Sequence, residues 1–167
     1  MNRFLDGLVG GWTIATILTF QSGQPIDIGM SQPTLDDGNQ RPNITCNPSS
    51  GVSAHQSALT ASAAAPLSTF NSNCFADPGF EQAGNAPRYF SNLRTDGIHN
   101  IDLSIEKTFV PREGMRLEVR GEFFNAFNTP RFAPPDTLFG DSTFGQITST
   151  AMGATPRHGQ LGVRFEF

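Results

Sequence analysis

The 167-residue sequence contains a single lysine, Lys107, and only 16% of its residues are charged. Soluble domains usually cover their surface with lysine, glutamate and aspartate, and about a quarter of their residues are charged. Lysine and arginine together number 11 against 15 acidic residues, they form no cluster, and the net charge is -4. A nucleic-acid partner is therefore excluded, because phosphate groups require a basic stripe on the protein.

Long apolar runs are also absent. No stretch of about 18 apolar residues occurs, so the sequence predicts no transmembrane helix. The segment from Met1 to Phe20 only loosely imitates a signal peptide, because Asp6 and the pair Gly10-Gly11 interrupt its apolar part and no small-residue cleavage site follows. Its alternation fits a strand better. Since an exported protein needs a leader, we expect the chain to be a fragment of a longer one.

Catalytic motifs are lacking as well. The histidines His55, His99 and His158 are scattered, and the sequence has no zinc-protease helix motif, no nucleophile elbow and no phosphate-binding loop. The carboxylate pair Asp36-Asp37 lies among turn-forming residues, where solvated side chains are expected. We expect no enzyme activity and no cofactor.

Only two cysteines, Cys46 and Cys74, are present, in a segment rich in Ser, Ala, Asn and Pro. Two cysteines in one loop suggest a disulfide formed in an oxidising compartment, which would stabilise the folded state by roughly 3 to 4 kcal/mol. Two unpaired thiols are the alternative. We expect no metal site, since no further cysteine and no histidine lies at zinc-ligand spacing.

The sequence does contain alternation with a period of two, most clearly over its last eight residues. One face of this segment carries Leu161, Val163, Phe165 and Phe167, and the other carries Gln160, Gly162, Arg164 and Glu166. Two faces of opposite character and a closing aromatic residue are typical of a transmembrane β-strand whose terminal ring lies at the membrane interface.

Four strands of this kind are predicted. They span about 11-21, 97-109, 115-125 and 158-167. A tight turn at 111-114 follows the second strand, whereas the segments 31-96 and 126-157 are long and are interrupted by prolines. A short extension at 26-30 precedes the first of them, and one short strand is predicted near 144-150 in the second. We therefore predict an all-β, antiparallel, curved open sheet that belongs to a membrane β-barrel, with long extracellular loops and short periplasmic turns.

The aromatic residues fall at the strand ends. With this orientation, Trp12 and Phe109 lie at the periplasmic level and Phe20 and Phe123 at the outer level, with aliphatic and small residues between them. Such a distribution is that of the aromatic girdles of a membrane barrel.

Charges of both signs line one face of the central hairpin. These side chains are Asp102, Glu106, Arg116, Glu118, Arg120 and Glu122. Opposite charges on neighbouring strands stabilise a sheet, whereas an arginine that faces lipid near mid-plane costs about 2 to 4 kcal/mol. We predict that this face lines the barrel lumen, either as a salt-bridged wall or as part of a translocation path.

Five groups of short segments occur in a characteristic order and spacing. They are Gly10-Gly11-Trp12-Thr13-Ile14 with Gln21-Ser22-Gly23-Gln24-Pro25; Asn100-Ile101-Asp102-Leu103-Ser104 with Lys107-Thr108-Phe109; Arg120-Gly121-Glu122-Phe123-Phe124-Asn125-Ala126-Phe127-Asn128; Phe144-Gly145-Gln146-Ile147; and Pro156-Arg157. Together they resemble the C-terminal end of the barrel of a TonB-dependent outer-membrane receptor, in particular the Oar-like group that carries a carboxypeptidase regulatory domain.

The resemblance implies that residues 1-167 are the C-terminal portion of a barrel of about 22 strands, plugged by an N-terminal domain and powered through TonB. The closing residues also resemble the β-signal read by the barrel-assembly machinery, with Gln160, Gly162, Phe165 and Phe167 at the matching positions. The implied partners are outer-membrane lipid, that machinery, the rest of the receptor, and TonB only through the N-terminal part, which contains the plug. The implied location is the bacterial outer membrane.

Two other interpretations stay open from the residues. A secreted, soluble β-sandwich that binds carbohydrate would also be rich in glycine, asparagine and aromatic residues. A complete eight-stranded barrel is disfavoured, because four to six strands cannot close around a filled interior.

Overall fold

The computed structural model describes residues 9-36, 38-50 and 67-167. The predictions that concern His55, Asp37, the first eight residues and part of the segment 31-96 fall outside the described residues. The chain divides into two compact units. The sheet unit comprises Met1–Phe20, His99–Pro130 and Thr155–Phe167, and the loop unit comprises Gln21–Ile98 and Arg131–Ala154.

The described residues form long strands and short strand pairs. In chain order they are β1 (Trp12–Gln21), β2 (Gly29–Met30), β3 (Asn43–Ile44), β4 (Phe75–Ala76), β5 (Ile98–Arg112), β6 (Met115–Phe124), β7 (Leu138–Phe139) and β8 (His158–Glu166). A 3-10 turn, Ser72–Cys74, precedes β4. Among the described residues, no helix is long and apolar enough to cross a bilayer.

The four long strands make one antiparallel sheet in the order β1-β5-β6-β8. Glu106 lies opposite Arg120 in the β5–β6 pair, and Glu118 lies opposite Arg164 in the β6–β8 pair. The sheet does not close on itself, so β1 and β8 form its two edges. The prediction of an all-β, antiparallel, open sheet of four long strands is confirmed.

Strand β5 is longer than the alternation predicts. It runs through Pro111 to Arg112, with a register shift between Phe109 and Arg112. A bulge of this kind adds an unpaired residue near a strand end, where a proline is tolerated. The turn to β6 is therefore tighter than predicted, and it is made by Glu113 and Gly114, whose φ of +82° favours glycine.

The loop unit contains the hydrophobic core of the described chain. Its buried members are Ile26, Ile28, Phe70, Cys74, Phe75, Ala86, Phe90 and Leu93. The described residues of this unit form two short strand pairs, the parallel β2–β7 pair and the antiparallel β3–β4 pair, besides the 3-10 turn. The described parts of the two long connections are thus poor in strands, as the prolines indicate, but they pack into a core that no periodic pattern of the sequence predicts.

The short strand predicted at 144-150 is wrong. Strand β7 lies earlier, at Leu138–Phe139, where it pairs with β2, while Phe144, Gln146 and Thr150 make only isolated bridges. Gly145 adopts a φ of +79° in the middle of this segment, and such a backbone cannot continue a strand.

Candidate functional site

The polar face of the sheet is organised around Arg120 on β6. Its guanidinium lies 2.9 Å from the Glu106 carboxylate, which is directly opposite on β5. Two further carboxylates, those of Glu118 and Glu122, lie 3.7 and 3.6 Å away on the same strand. These positions share a face because successive side chains of a strand alternate. Four of the six predicted charges, Glu106, Glu118, Arg120 and Glu122, are therefore one connected cluster.

Strand β8 extends this polar face. Its residues meet complementary partners on β6, because Arg116 lies opposite Glu166 and Glu118 lies opposite Arg164. Gln160, opposite Glu122, donates an Nε2 hydrogen bond to that carboxylate. Within β8 itself, the Arg164 guanidinium lies 2.5 Å from the Glu166 carboxylate. Matching of charge across β6 and β8 fixes their register.

Asp102 is on the same face but has a different kind of partner. Its carboxylate accepts hydrogen bonds of 2.9 Å from the backbone N–H of Asn125 and from the Asn100 side chain. Asp102 thus holds the end of β6, where the strand stops and the chain turns. Asp102 was predicted to belong to the row of charges because it lies four residues before Glu106 on β5 and therefore on the same face of the strand.

Two asparagines that were not among the predicted site residues, Asn125 and Asn128, shape the exit from β6. Asn125 and Asn128 have φ values of +49° and +52°, a conformation that asparagine tolerates better than most residues. The Asn125 amide donates to the carbonyl groups of Thr129 and Thr155, at 3.2 and 3.0 Å. The Asn128 side chain accepts from the Arg157 backbone at 3.1 Å. Together they fix the start of β8 beside the end of β6.

The apolar face of the sheet is exposed and carries the only lysine. Lys107 is in phase with Ile105 and Phe109 and is only 5% exposed. Its ammonium lies 5.0 Å from the centroid of the Trp12 ring and 5.2 Å from that of Phe109, and it donates to the Gly10 carbonyl. Cation–π contacts and a carbonyl group thus stabilise this charge. Lys107 lies two residues after Ile105 on the same strand, and this spacing could have placed it on the apolar face from the sequence alone.

The predicted girdle residues lie at the strand ends. Trp12 opens β1 and Phe109 lies near the end of β5, and both contact Lys107. At the opposite end, the Phe20 ring meets His99 edge to face at 5.9 Å, and Phe123 is the penultimate residue of β6. The last two rings of the chain, Phe165 and Phe167, stack at 5.8 Å.

A disulfide joins Cys46 to Cys74 in the loop unit, with their Cα atoms 4.8 Å apart. The bond lies next to the β3–β4 pair, where Ile44 is opposite Phe75, and the Thr45 N–H donates to the Cys74 carbonyl at 2.9 Å. The disulfide therefore links covalently the same two chain segments that β3 and β4 join by hydrogen bonds.

Phenylalanine rings fill the interior of the loop unit. The Phe70 ring lies 5.8 Å from Phe75 and 5.5 Å from Phe144, both edge to face. Phe139 adds a further contact to Phe144 at 5.4 Å. Pairs at such distances and angles stabilise a core beyond the area that they bury. They join the first long connection of the sheet to the second.

A buried glutamine supports the surface of the same unit. Gln40, 2% exposed, accepts from the Thr34 backbone at 2.7 Å and donates to the carbonyl groups of Gln82 and Gly79, at 2.8 and 3.2 Å. These bonds satisfy its amide and hold the turn that exposes Phe80. In the described part of the chain, no group of three or more His, Cys, Asp or Glu side chains could hold a metal ion.

The family model of the outer membrane beta barrel domain matches residues 1–160, which is nearly the whole chain. The chain belongs to the outer membrane beta barrel domain family. No curated protein and no solved structure matches it in the corresponding comparisons. The protein is accordingly located in the bacterial outer membrane.

The two faces of the sheet can now be assigned to two environments. A strand of an outer membrane barrel alternates between lipid and lumen. An arginine on the lipid side costs about 2 to 4 kcal/mol near mid-plane, so we propose that the Arg120 cluster faces the lumen. In this proposal the opposite face, with Leu161 83% exposed, is the surface that the barrel domain presents to lipid.

Adjacent residues of β8 offer a matched test of this assignment. Leu161→Arg is expected to destabilise the barrel domain by about 2 to 4 kcal/mol, because the charge enters hydrocarbon. Gln160→Arg places the same side chain on the other face, opposite Glu122, and should cause no loss of stability. Urea unfolding of the chain inserted in phosphatidylcholine vesicles measures both. Equal losses in the two variants would contradict the assignment.

Proposed function

We propose that this barrel domain is the C-terminal part of a TonB-dependent receptor of the Oar-like group. In this proposal, β1, β5, β6 and β8 contribute wall to the barrel and the loop unit takes part in ligand capture. The observation that supports ligand capture is the loop unit itself, in which two long connections share one hydrophobic core and a disulfide cross-links the chain. A connection that only reverses the chain direction needs no core of its own. A loop that binds a ligand needs a fixed shape, which a packed core provides.

The connectivity supports an extracellular position for the long connections. The chain between β1 and β5 and the chain between β6 and β8 both leave from the same end of the antiparallel sheet, whereas β5 and β6 are joined by a tight turn at the other end. Outer-membrane barrels have short periplasmic turns and longer extracellular loops. The loop connections would therefore face the cell exterior, where ligands arrive.

The surface of the loop unit offers groups that suit ligand contact. Phe80 and Tyr89 are 75% and 57% exposed, and the Arg88 guanidinium lies 5.6 Å from the Tyr89 ring. Aromatic and arginine side chains are enriched in binding surfaces because they combine contact area with polar groups. They need no metal or cofactor for this role, and we propose no enzymatic activity.

Assembly and energy coupling follow from the same proposal. The pattern Gln160, Gly162, Phe165 and Phe167 on the edge strand β8 would be recognised by the barrel-assembly machinery. An unpaired edge supports this role, because it can add a further strand. TonB would act only through an N-terminal part with its plug, which together with the earlier strands would complete the receptor.

The secreted β-sandwich has no observation in its favour. A sandwich buries one face of each sheet against a second sheet. In the described residues, the apolar face of β1 and β8 is exposed, as at Ile14 and Val163, which are 69% and 71% exposed.

The size of the native protein tests the receptor proposal. An antibody against residues 67-96 should detect, in outer membranes of the source cells, a band several times larger than the 18.0 kDa of this chain. The antibody should also bind intact cells, because the loop unit faces outward. A band of 18.0 kDa would overturn the receptor proposal. It would leave the barrel family unchanged.

A further inference from the structure

A groove of about 480 Å³ lies on the lipid-facing side of the sheet unit. The rings of Trp12, Phe109 and Phe123 line it, and Gly121 contributes a position without a side chain. Gly121 lies directly between Ile105 on β5 and Leu161 on β8. The absent side chain therefore leaves a depression between two apolar neighbours.

The backbone does not require a glycine at this position. Gly121 lies inside β6, outside the residues with positive φ, and a Cβ there would sit 3.4 Å from the Leu161 side chain, an ordinary contact. Glycine inside a strand weakens it and often marks a site that another group approaches closely. The glycine lowers the stability of the strand, and in return it leaves the space over Gly121 open to a ligand.

The membrane around the groove and its apolar lining indicate which kind of molecule would occupy it. The surrounding face is the one that we assign to lipid in this outer-membrane barrel domain, and the lining apart from Lys107 is apolar. Its volume lies within the range of small-molecule sites. Trp12 and Phe109 lie at the end of the sheet with the tight turn, which is periplasmic in such barrels. The leaflet on that side consists of phospholipid.

We propose that the groove is a defined binding site for one acyl chain of a phospholipid. The chain would enter past the Trp12 and Phe109 rings at the periplasmic end and extend along the strands to Gly121, where the Phe123 ring, nearer the outer end, closes the groove. This site differs from general lipid contact because it binds a single chain and saturates. It depends on the orientation of the sheet in the membrane and is independent of the receptor proposal.

The only tryptophan of the sequence, Trp12, lines the groove and reports its occupancy. The full chain, folded in maltoside micelles, is titrated with phosphatidylglycerol that carries a dibrominated acyl chain, since bromine quenches tryptophan fluorescence on contact. We expect a saturable phase of quenching at low lipid content, which unbrominated phosphatidylglycerol reverses.

Two variants separate the site from bulk contact. Gly121→Leu fills the groove and favours the strand, so the saturable phase should be lost while the circular dichroism of the sheet is kept. Val163→Leu adds volume to the same face at an exposed position outside the groove lining, and should keep that phase.

Two results would overturn the proposal. One is quenching that rises linearly with lipid content and is the same in wild type, Gly121→Leu and Val163→Leu, which indicates bulk contact alone. The other is an equal midpoint for a dibrominated free fatty acid at the same chain concentration, which assigns the groove to a single hydrocarbon chain of any source instead of to phospholipid.

Discussion

Replacing Phe70 with alanine is expected to lower the free energy of unfolding of the loop unit by about 3 to 5 kcal/mol. Phe70 is 1% exposed and its ring packs edge to face against Phe75 and Phe144. Truncation removes these contacts and leaves a cavity that its rigid neighbours fill only in part. Amide hydrogen exchange at Ile26 and Phe90, whose N–H groups donate to the Leu93 and Ile26 carbonyls inside the same core, measures the loss.

Phe80→Ala is the matched control for this prediction. It makes the same chemical change in the same unit, but Phe80 is 75% exposed. Exposed substitutions usually change stability by less than about 0.5 kcal/mol. If Phe70→Ala and Phe80→Ala had equal effects on exchange, the loop unit would lack the packed interior described above.

Removal of the disulfide has the second large effect. The double variant Cys46→Ala, Cys74→Ala is expected to destabilise the loop unit by about 3 to 4 kcal/mol, because the bond closes a loop of 28 residues and so restricts the unfolded chain. Exchange at Ile44 and Phe75, which are paired beside the bond, should rise most. Chemical reduction of the wild-type chain should have a similar effect.

The sheet unit provides the internal control for the disulfide. Exchange at Ile105 and Val119, which belong to β5 and β6, should stay unchanged in the double variant. A loss below about 1 kcal/mol in the loop unit would show that β3 and β4 hold together without the bond. A comparable loss in β5 and β6 would show that the two units do not unfold independently.

The strands were predictable because their signal is local. A period of two in side-chain character identifies β6 and β8 and the face of each residue, whatever the partner strand. The same parity sufficed to group Glu106 with Arg120. Strand ends were less accurate, as at Arg112, because a bulge and a turn depend on backbone geometry that the alternation does not encode.

The core of the loop unit could not be predicted in the same way. Phe70 contacts Phe144, which belongs to the other long connection, and no periodic pattern links such distant positions. Contacts of this kind are set by tertiary packing, and the many prolines and small residues around them suggested only irregular chain. The two cysteines were the one local signal that this region is folded.

Lys107 and Asn125 show two other limits of the sequence. Lys107 is accommodated on the apolar face because its charge contacts Trp12, Phe109 and the Gly10 carbonyl, a combination that only the pairing of β1 with β5 creates. Asn125 bonds to Thr155, across the second long connection. Its suitability for a left-handed turn could have been noted, but its partner could not.

The most direct test of the central claim is a nitroxide accessibility scan along β6 with the chain in lipid vesicles and the native disulfide intact. Single labels at 115–124 should alternate with a period of two. Positions 117, 119, 121 and 123 should be accessible to oxygen dissolved in the lipid, and 116, 118, 120 and 122 to a water-soluble nickel complex. Accessibility without this alternation, or with the two sets exchanged, would contradict a barrel wall with the Arg120 cluster facing the lumen.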